Sequence, residues 1–299
     1  MCIRDRDGAV SMNRFSVTLL LSGLTAMAGA LFWVFAPPPA AVNAVIPSSD
    51  DAVARGEYLF SAGGCISCHK GEKRPESPSG GLALSTDFGV FYAPNITPDP
   101  VSGTGNWSGG DFINAVKYGR APDGSYYFPA FPYRSYAGLS DEDVLNMAAY
   151  MLSLDAVDFR APEPEPAPWL RRWMIAGWNR LADLSQPDRE TFADETVARG
   201  AYLARNLGHC GECHTPRNLL GGLKTYLHFS GSKEGPEGEL APNITPLKIT
   251  GIGDWTKVDI SYFLETGMKP DGDYTQGLMA EVIEHGYYCL LYTSPSPRD

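Results

Sequence analysis

The sequence of 299 residues has little basic charge and few strand-like stretches. Lys and Arg total 24 against 35 Asp and Glu, and the net charge of −11 argues against a nucleic-acid partner. An acidic protein is attracted to basic partner surfaces, although charge alone identifies no partner. Alternating apolar and polar residues are scarce, whereas 32 Gly and 24 Pro supply many turns. We therefore predict helices joined by long loops.

Cysteine is also scarce, and four of the 6 cysteines fall into two copies of one motif, C-x-x-C-H. This motif is the attachment signature of c-type haem. On a helical turn the two thiols and the following imidazole share one face, so the thiols can form thioethers while the imidazole reaches the iron. We predict two covalent haem c groups, attached through Cys65 and Cys68 in the first motif and Cys210 and Cys213 in the second, with His69 and His214 as iron ligands.

Two other uses of paired cysteines are disfavoured. A zinc ribbon places its two C-x-x-C pairs about 15–20 residues apart, whereas Cys65 and Cys210 are 145 positions apart and each pair is followed by His. A thioredoxin-like dithiol requires a βαβ setting and no histidine, and neither half of the chain supplies that setting.

Long apolar runs are limited to one, at about residues 15–36, preceded by Asn13 and Arg14. We predict that residues 12–44 are a signal or membrane anchor. A run of about 20 residues is long enough to span a bilayer and favours an uncleaved anchor, with cleavage after Ala44 as the alternative. Arg14 favours retention of the N-terminus inside. The rest of the chain is then expected on the periplasmic side of the bacterial inner membrane.

The two ends of the chain look foreign to the rest. Residues 1–7 precede a more natural start at Met12, and residues 289–299 continue no helical pattern. Both strings resemble translated adapter sequence from metagenomic assembly, and we expect them to be non-native. They contain the two remaining cysteines, Cys2 and Cys289.

The second half of the chain repeats the first. The shared strings are A-R-G-x-Y-L at 54–59 and 198–203, N-I-T-P at 95–98 and 243–246, and G-x-G-x-W at 103–107 and 251–255. Their spacing of 144 to 148 positions indicates duplication, and we predict two tandem helical haem domains, 49–158 and 194–288. The second domain is expected to be C-terminally truncated, because it has no counterpart of a predicted helix at 141–154.

A connecting segment, residues 159–193, separates the predicted domains. Its Pro-rich start predicts a stiff extended spacer, and Trp169 to Leu184 predicts a helix bearing Trp169, Trp173 and Trp178. Such an aromatic face normally packs against a domain. The alternative is contact with a membrane surface or a partner, aided by Arg171 and Arg172.

The sixth iron ligand differs between the predicted domains. The repeat places Met279 opposite Phe131, so Met279 is the expected thioether ligand of the second haem. Phe131 cannot bind iron, and no second histidine lies in residues 49–158. The first haem therefore has either an open iron or a substitute ligand. The candidates are Tyr126, Tyr127, Tyr133 and Lys117, with Met147 and Met151 more compatible with core positions on their helix.

These motifs resemble a known group of proteins. The strings P-N-I-T-P at 94–98, G-x-G-x-W at 103–107, P-A-F-P-Y at 129–133 and L-S-D-E-D-V at 139–144 are similar to those of bacterial multi-haem cytochrome c subunits. Those subunits accompany periplasmic alcohol, gluconate and aldehyde-type dehydrogenases, and the resemblance covers residues 49–288. Members commonly have Met where Phe131 stands.

The resemblance implies an all-α protein of two tandem class I cytochrome c domains. It also implies an electron-transfer protein without catalytic residues of its own. It would relay electrons from a periplasmic dehydrogenase subunit towards a quinone or a terminal oxidase. The rival hypothesis is a dihaem enzyme, a peroxidase or thiosulfate oxidoreductase, that uses an open first haem. A haem sensor is a third hypothesis, and it lacks a recognisable output domain.

Overall fold

The computed structural model describes residues 14–35, 43–183 and 191–287. The ends expected to be non-native, residues 1–7 and 289–299, lie outside this part, as do residues 36–42, which precede the alternative cleavage position. The chain forms two compact units, Met1–Pro38 and Pro39–Asp299, which are described separately.

The first unit contains helix α1, Arg14–Phe35. Its segment Val17–Phe35 has a mean hydropathy of 1.9, and by length and composition it is able to cross a membrane. This helix agrees with the predicted signal or anchor segment.

The second unit is largely helical, and several of its helices start directly after a capping side chain. Ser108 and Asp111 form a reciprocal capping box before one helix, and Thr256 and Asp259 form the same box 148 positions later. The helices are α2 Asp50–Ala62, α3 Cys65–His69, α4 Gly109–Tyr118, α5 Tyr133–Tyr136, α6 Asp141–Ser153, α7 Met174–Asp183, α8 Glu195–Tyr202, α9 Gly211–His214, α10 Lys257–Thr266 and α11 Gly277–Val282. One π-helical turn, Leu203–Leu207, continues α8, and another, Ile283–Tyr287, continues α11.

The main core lies where α2 crosses α6, with α4 packed against α6. Leu59, Phe112 and Val144 are almost fully buried there. Met147 and Met151 are buried in the same cluster, which confirms them as core residues of α6. Leu207 joins this cluster from the second half of the chain. Both halves therefore contribute to one core, and their division into two tandem domains stays a prediction.

The expectation of an all-α fold is correct only in part, because a small antiparallel sheet is present. Strands β1, Ala83–Thr86, and β2, Gly89–Tyr92, form a hairpin, and β3, Glu165–Pro166, pairs with β2. The hairpin forms because Gly89 adopts a φ of 126° at the turn and Phe91 packs against Phe128.

The connecting segment differs from its prediction in two ways. Its Pro-rich part is not a separate spacer, since β3 lies within it and forms an edge of the sheet. Its helix begins at Met174 rather than Trp169, because Leu170 and Ile175 turn into a small core with Phe91 and Phe128. Trp169 and Trp173 are consequently 58% and 65% exposed. Trp178, in contrast, packs as predicted and donates from Nε1 to the Leu220 carbonyl at 2.8 Å.

Candidate functional site

The first motif, residues 65–69, coincides with the short helix α3. Helix α2 ends at Ala62 with Gly63 as its C-cap, and Gly64 has a φ of 62°, a left-handed conformation that suits glycine and redirects the chain into α3. Cys65 and Cys68 are three positions apart on this helix, with His69 next to them. The local geometry therefore places the three side chains on adjacent positions of one helical turn.

The imidazole of His69 is held by a backbone carbonyl. Its Nδ1 lies 2.8 Å from the Pro94 oxygen. A carbonyl oxygen only accepts, so Nδ1 donates and Nε2 keeps the lone pair that a metal requires. Such a second partner fixes the ring orientation and raises the basicity of the ligating nitrogen.

The second motif, residues 210–214, repeats this arrangement. Helix α9 carries Cys213 and His214, and Cys210 is at its N-cap. His214 is buried, and its Nδ1 lies 2.7 Å from the Pro242 oxygen. The two imidazoles therefore have the same tautomer and the same kind of partner.

The loops that supply these carbonyls have the same internal bonds. Asn95 accepts hydrogen bonds from the backbone and hydroxyl of Thr97 at 2.9 and 2.7 Å. Asn243 accepts from Thr245 in the same way at 2.8 and 2.7 Å. The sequence indicates this string as a mark of duplication and of the family resemblance, but not its role in holding the histidines. The available signal was a proline directly before the asparagine in both copies.

The ionisation of the motif side chains suits a metalloporphyrin better than a redox dithiol. Burial raises the pKa of Cys65 to about 12 and that of Cys213 to about 11. Reactive dithiols require a lowered thiol pKa, so these cysteines do not fit a thioredoxin-like site. Burial also lowers the pKa of His69 and His214, and the neutral imidazole is the form that binds iron. The donor set of each motif thus fits covalent haem with one axial histidine.

The structure places the candidate sixth ligands in different settings. Met279 is half-buried on α11, and its role as a ligand stays a prediction. Phe131 is half-buried among aromatic rings, the nearest being Tyr136 with its centroid at 5.6 Å. The alternative candidates in the first repeat have other partners: Lys117 pairs with Asp141, Tyr133 donates to Asn179, and Tyr126 lies beneath the Arg120 guanidinium. Burial raises the pKa of Tyr127, which disfavours the phenolate that iron would bind.

Comparison with known proteins identifies relatives across most of the chain. A sequence profile described as cytochrome c matches residues 53–155. A protein named "Diheme cytochrome c-type" from Cereibacter sphaeroides is 43% identical over 239 residues, which cover 77% of this chain and 78% of that protein.

Two further relatives are subunits of dehydrogenases. The gluconate 2-dehydrogenase cytochrome c subunit of Pantoea cypripedii is 38% identical over 251 residues, covering 80% of this chain and 56% of that subunit. The fructose dehydrogenase cytochrome subunit of Gluconobacter japonicus is 35% identical over 285 residues, covering 94% of this chain and 56% of that subunit. The chain therefore spans little more than half the length of these two subunits.

Proposed function

Because the chain belongs to the cytochrome c family, we propose that it is an electron-transfer protein carrying two haem c groups, one on each motif. Cys65, Cys68, Cys210 and Cys213 form the thioethers, and His69 and His214 bind the irons. The observation that carries the proposal is that both imidazoles are bonded through Nδ1 to a proline carbonyl, His69 to Pro94 and His214 to Pro242. Both histidines therefore keep Nε2 free to bind iron.

The residues of the chain act by holding and tuning the cofactor. When bound, haem supplies an iron that cycles between ferrous and ferric states. The Pro94 and Pro242 carbonyls orient the imidazoles, and the low pKa of each imidazole keeps it neutral for ligation. In the second repeat, Met279 is the proposed thioether ligand, which would give that haem a high potential.

We place this protein on the periplasmic side of the inner membrane, with a dehydrogenase as electron donor and a quinone or terminal oxidase as acceptor. Helix α1 supports membrane attachment, as anchor or as signal, because it is long and apolar. The names of the relatives support a dehydrogenase partner. The net charge of −11 suits a basic docking surface on that partner.

Haem stoichiometry tests the proposal. We expect the purified full chain to retain its haem through acid–acetone extraction and a pyridine haemochrome assay to give two haems per chain. Extractable haem, or one haem per chain, would contradict it. Rapid reduction of both haems by a dehydrogenase of the gluconate or alcohol class, with its substrate, would support the partner assignment.

A second candidate function rests on Phe131. If no side chain replaces the thioether in the first repeat, the first iron is open and can bind small ligands or turn over peroxide. Carbon monoxide and cyanide titrations distinguish the enzyme from the electron-transfer protein. An electron-transfer protein whose two irons both have a sixth protein ligand binds neither molecule. Peroxide turnover at the first haem alone would favour the enzyme.

A further inference from the structure

The two motifs lie against each other within one compact unit. Leu207, three residues before Cys210, is buried in the same core cluster as Leu59 and Phe60 of the first repeat. The hydroxyl of Tyr136 donates at 3.2 Å to the carbonyl of Gly63, two residues before the first motif. The ring of Tyr136 also meets the ring of His209 edge-on, with centroids 5.4 Å apart. Tyr136 thus contacts the residues that lead into both motifs.

His209 occupies a strained position. In the first repeat the residue before the first cysteine is Gly64, with a φ of 62°, whereas in the second repeat it is His209, with a φ of 38°. A non-glycine residue in this region is strained and persists only where its surroundings hold it. Glycine would adopt the local turn without this strain, whereas histidine adds a ring that contacts Tyr136 of the first repeat.

The side chain of His209 contacts the first repeat through Tyr136, whose hydroxyl donates to the Gly63 carbonyl while its ring meets the His209 ring. Tyr136 therefore bridges His209 of the second repeat and Gly63 of the first. Beside this contact, Ser135 donates to Glu212 at 2.5 Å, and Glu212 also pairs with Arg217. Two neighbouring side chains, Tyr136 and Ser135, thus join the two motif regions.

We infer that Tyr136 and His209 are positioning residues that fix the two motifs relative to each other and thereby set the rate of electron exchange between the two haems. The inference rests on the proposed function, because it requires one haem on each motif. Electron exchange falls steeply with the separation of the two groups, so a contact that holds both attachment points has a direct effect on it. The strain at His209 is offset by the contact that its ring makes.

The test uses the full chain in detergent and measures intramolecular electron redistribution after flash photoreduction. His209→Gly restores the residue type of the first repeat, relieves the strain and removes the ring. His209→Asn tolerates the same backbone conformation and retains a hydrogen-bonding side chain without the ring. We expect both variants to slow the redistribution several-fold while haem content and the spectrum of each haem stay unchanged.

Tyr202→Phe is the matched control. The hydroxyl of Tyr202 donates to Asp143 and accepts from the Ser140 backbone. These bonds join the same two repeats away from the motifs. Loss of the hydroxyl therefore weakens the packing between the repeats and leaves the contact of Tyr136 with His209 intact. We expect its redistribution rate to equal that of the unmodified chain. An unchanged rate in both His209 variants, or an equal loss in Tyr202→Phe, overturns the inference. Failure of the proposed function has a different signature, because the unmodified chain would then lack two covalent haems.

Discussion

The two repeats have the same loops and different cores. Both hold the motif histidine with a proline carbonyl, both brace that loop with an Asn–Thr pair, and both start the next helix with a capping box. In the first repeat α4 buries Phe112 and Ile113 against α6, whereas α10 has no buried residue. The positions that would align with α6 begin at residue 289, outside the described part of the chain.

This difference indicates that the loops around the histidines are locally determined. The internal bonds of these loops connect residues two or seven positions apart and recur in the second repeat, where α10 is not buried. The core instead depends on segments distant in sequence. Asn95, for example, also donates to the Val157 and Phe159 carbonyls that follow α6, and it is buried, whereas Asn243 is half-buried.

The largest expected effect comes from removing each attachment in turn. Cys65→Ser with Cys68→Ser should leave one haem, on the second motif, and Cys210→Ser with Cys213→Ser should leave one on the first. Circular dichroism should show a greater loss of helix in the second variant, because α8, α10 and α11 have no buried residue to hold them without haem. Equal losses of helix would contradict this prediction, because they would show that the two repeats are equally stable without haem.

Matched core truncations test the same difference in energy. Phe112 and Ile260 hold the same position after their capping boxes, but Phe112 is 1% exposed and Ile260 is half-buried. We expect Phe112→Ala to lower the free energy of unfolding by about 3–5 kcal/mol, and Ile260→Ala by about 1–2 kcal/mol. Urea unfolding of the full chain measures both. Comparable losses would mean that α10 is buried as deeply as α4 in solution.

Substitutions at the two aligned ligand positions should each change the midpoint potential of one haem. Phe131→Met places a flexible thioether of similar bulk in the first repeat, and we expect a higher midpoint for the first haem and a second near-infrared thioether band. Met279→His should lower the midpoint of the second haem alone. Redox titration with spectroscopic detection measures both.

The near-infrared spectrum of the unmodified chain can contradict the prediction for Phe131→Met. Two thioether bands before any mutation would identify another methionine as ligand of the first haem. Met147 and Met151 are the nearest candidates in sequence, although both are buried in the core. That result would also remove the basis for an open first iron.

The smallest expected effect concerns acid stability of the two loops. The backbone and hydroxyl of Ser102 and the backbone of Val101 donate to Asp99, and these bonds hold the pKa of Asp99 below its ordinary value. A depressed carboxyl pKa stabilises the fold above the pKa of the unfolded state, and this stability is lost as the pH falls through the lower folded value. Leu247 occupies the aligned position in the second repeat.

Two substitutions follow from this alignment. Asp99→Asn should lower the urea midpoint at neutral pH, with the difference from the unmodified chain vanishing in strong acid. Leu247→Asp should raise the midpoint slightly at neutral pH, and this gain should vanish in acid too. Urea titrations between about pH 6 and pH 2 measure both. A difference that does not change with pH would show that the charge of Asp99 is not involved.

The features that sequence predicted well depend on neighbouring residues. The motifs and the helix that starts at Asp141 behind Ser140 were found because caps and ligands lie within four positions of one another. The partners of the histidines are 25 and 28 positions away, and nothing periodic connects them. The strained conformation of His209 could have been suspected only by aligning it with Gly64.

The short strands illustrate the same limit. Val90 to Tyr92 are good strand formers, yet in β3 Val90 pairs with Glu165 and the neighbouring Gly89 pairs with Pro166, more than 70 positions later. The apolar residues after Trp169 suggested a longer helix than exists, because Leu170 packs beneath the sheet instead of on a helical face. Both errors arise from contacts formed only in the folded chain.

Strand β3 also affects how copies of the protein behave in solution. An exposed sheet edge offers unpaired backbone groups to which another polypeptide can add a strand. Here one edge is only two residues long and ends in Pro166, which lacks an N–H to donate. A further strand therefore finds few backbone groups to pair with at that edge, and Pro166 limits edge-to-edge pairing there.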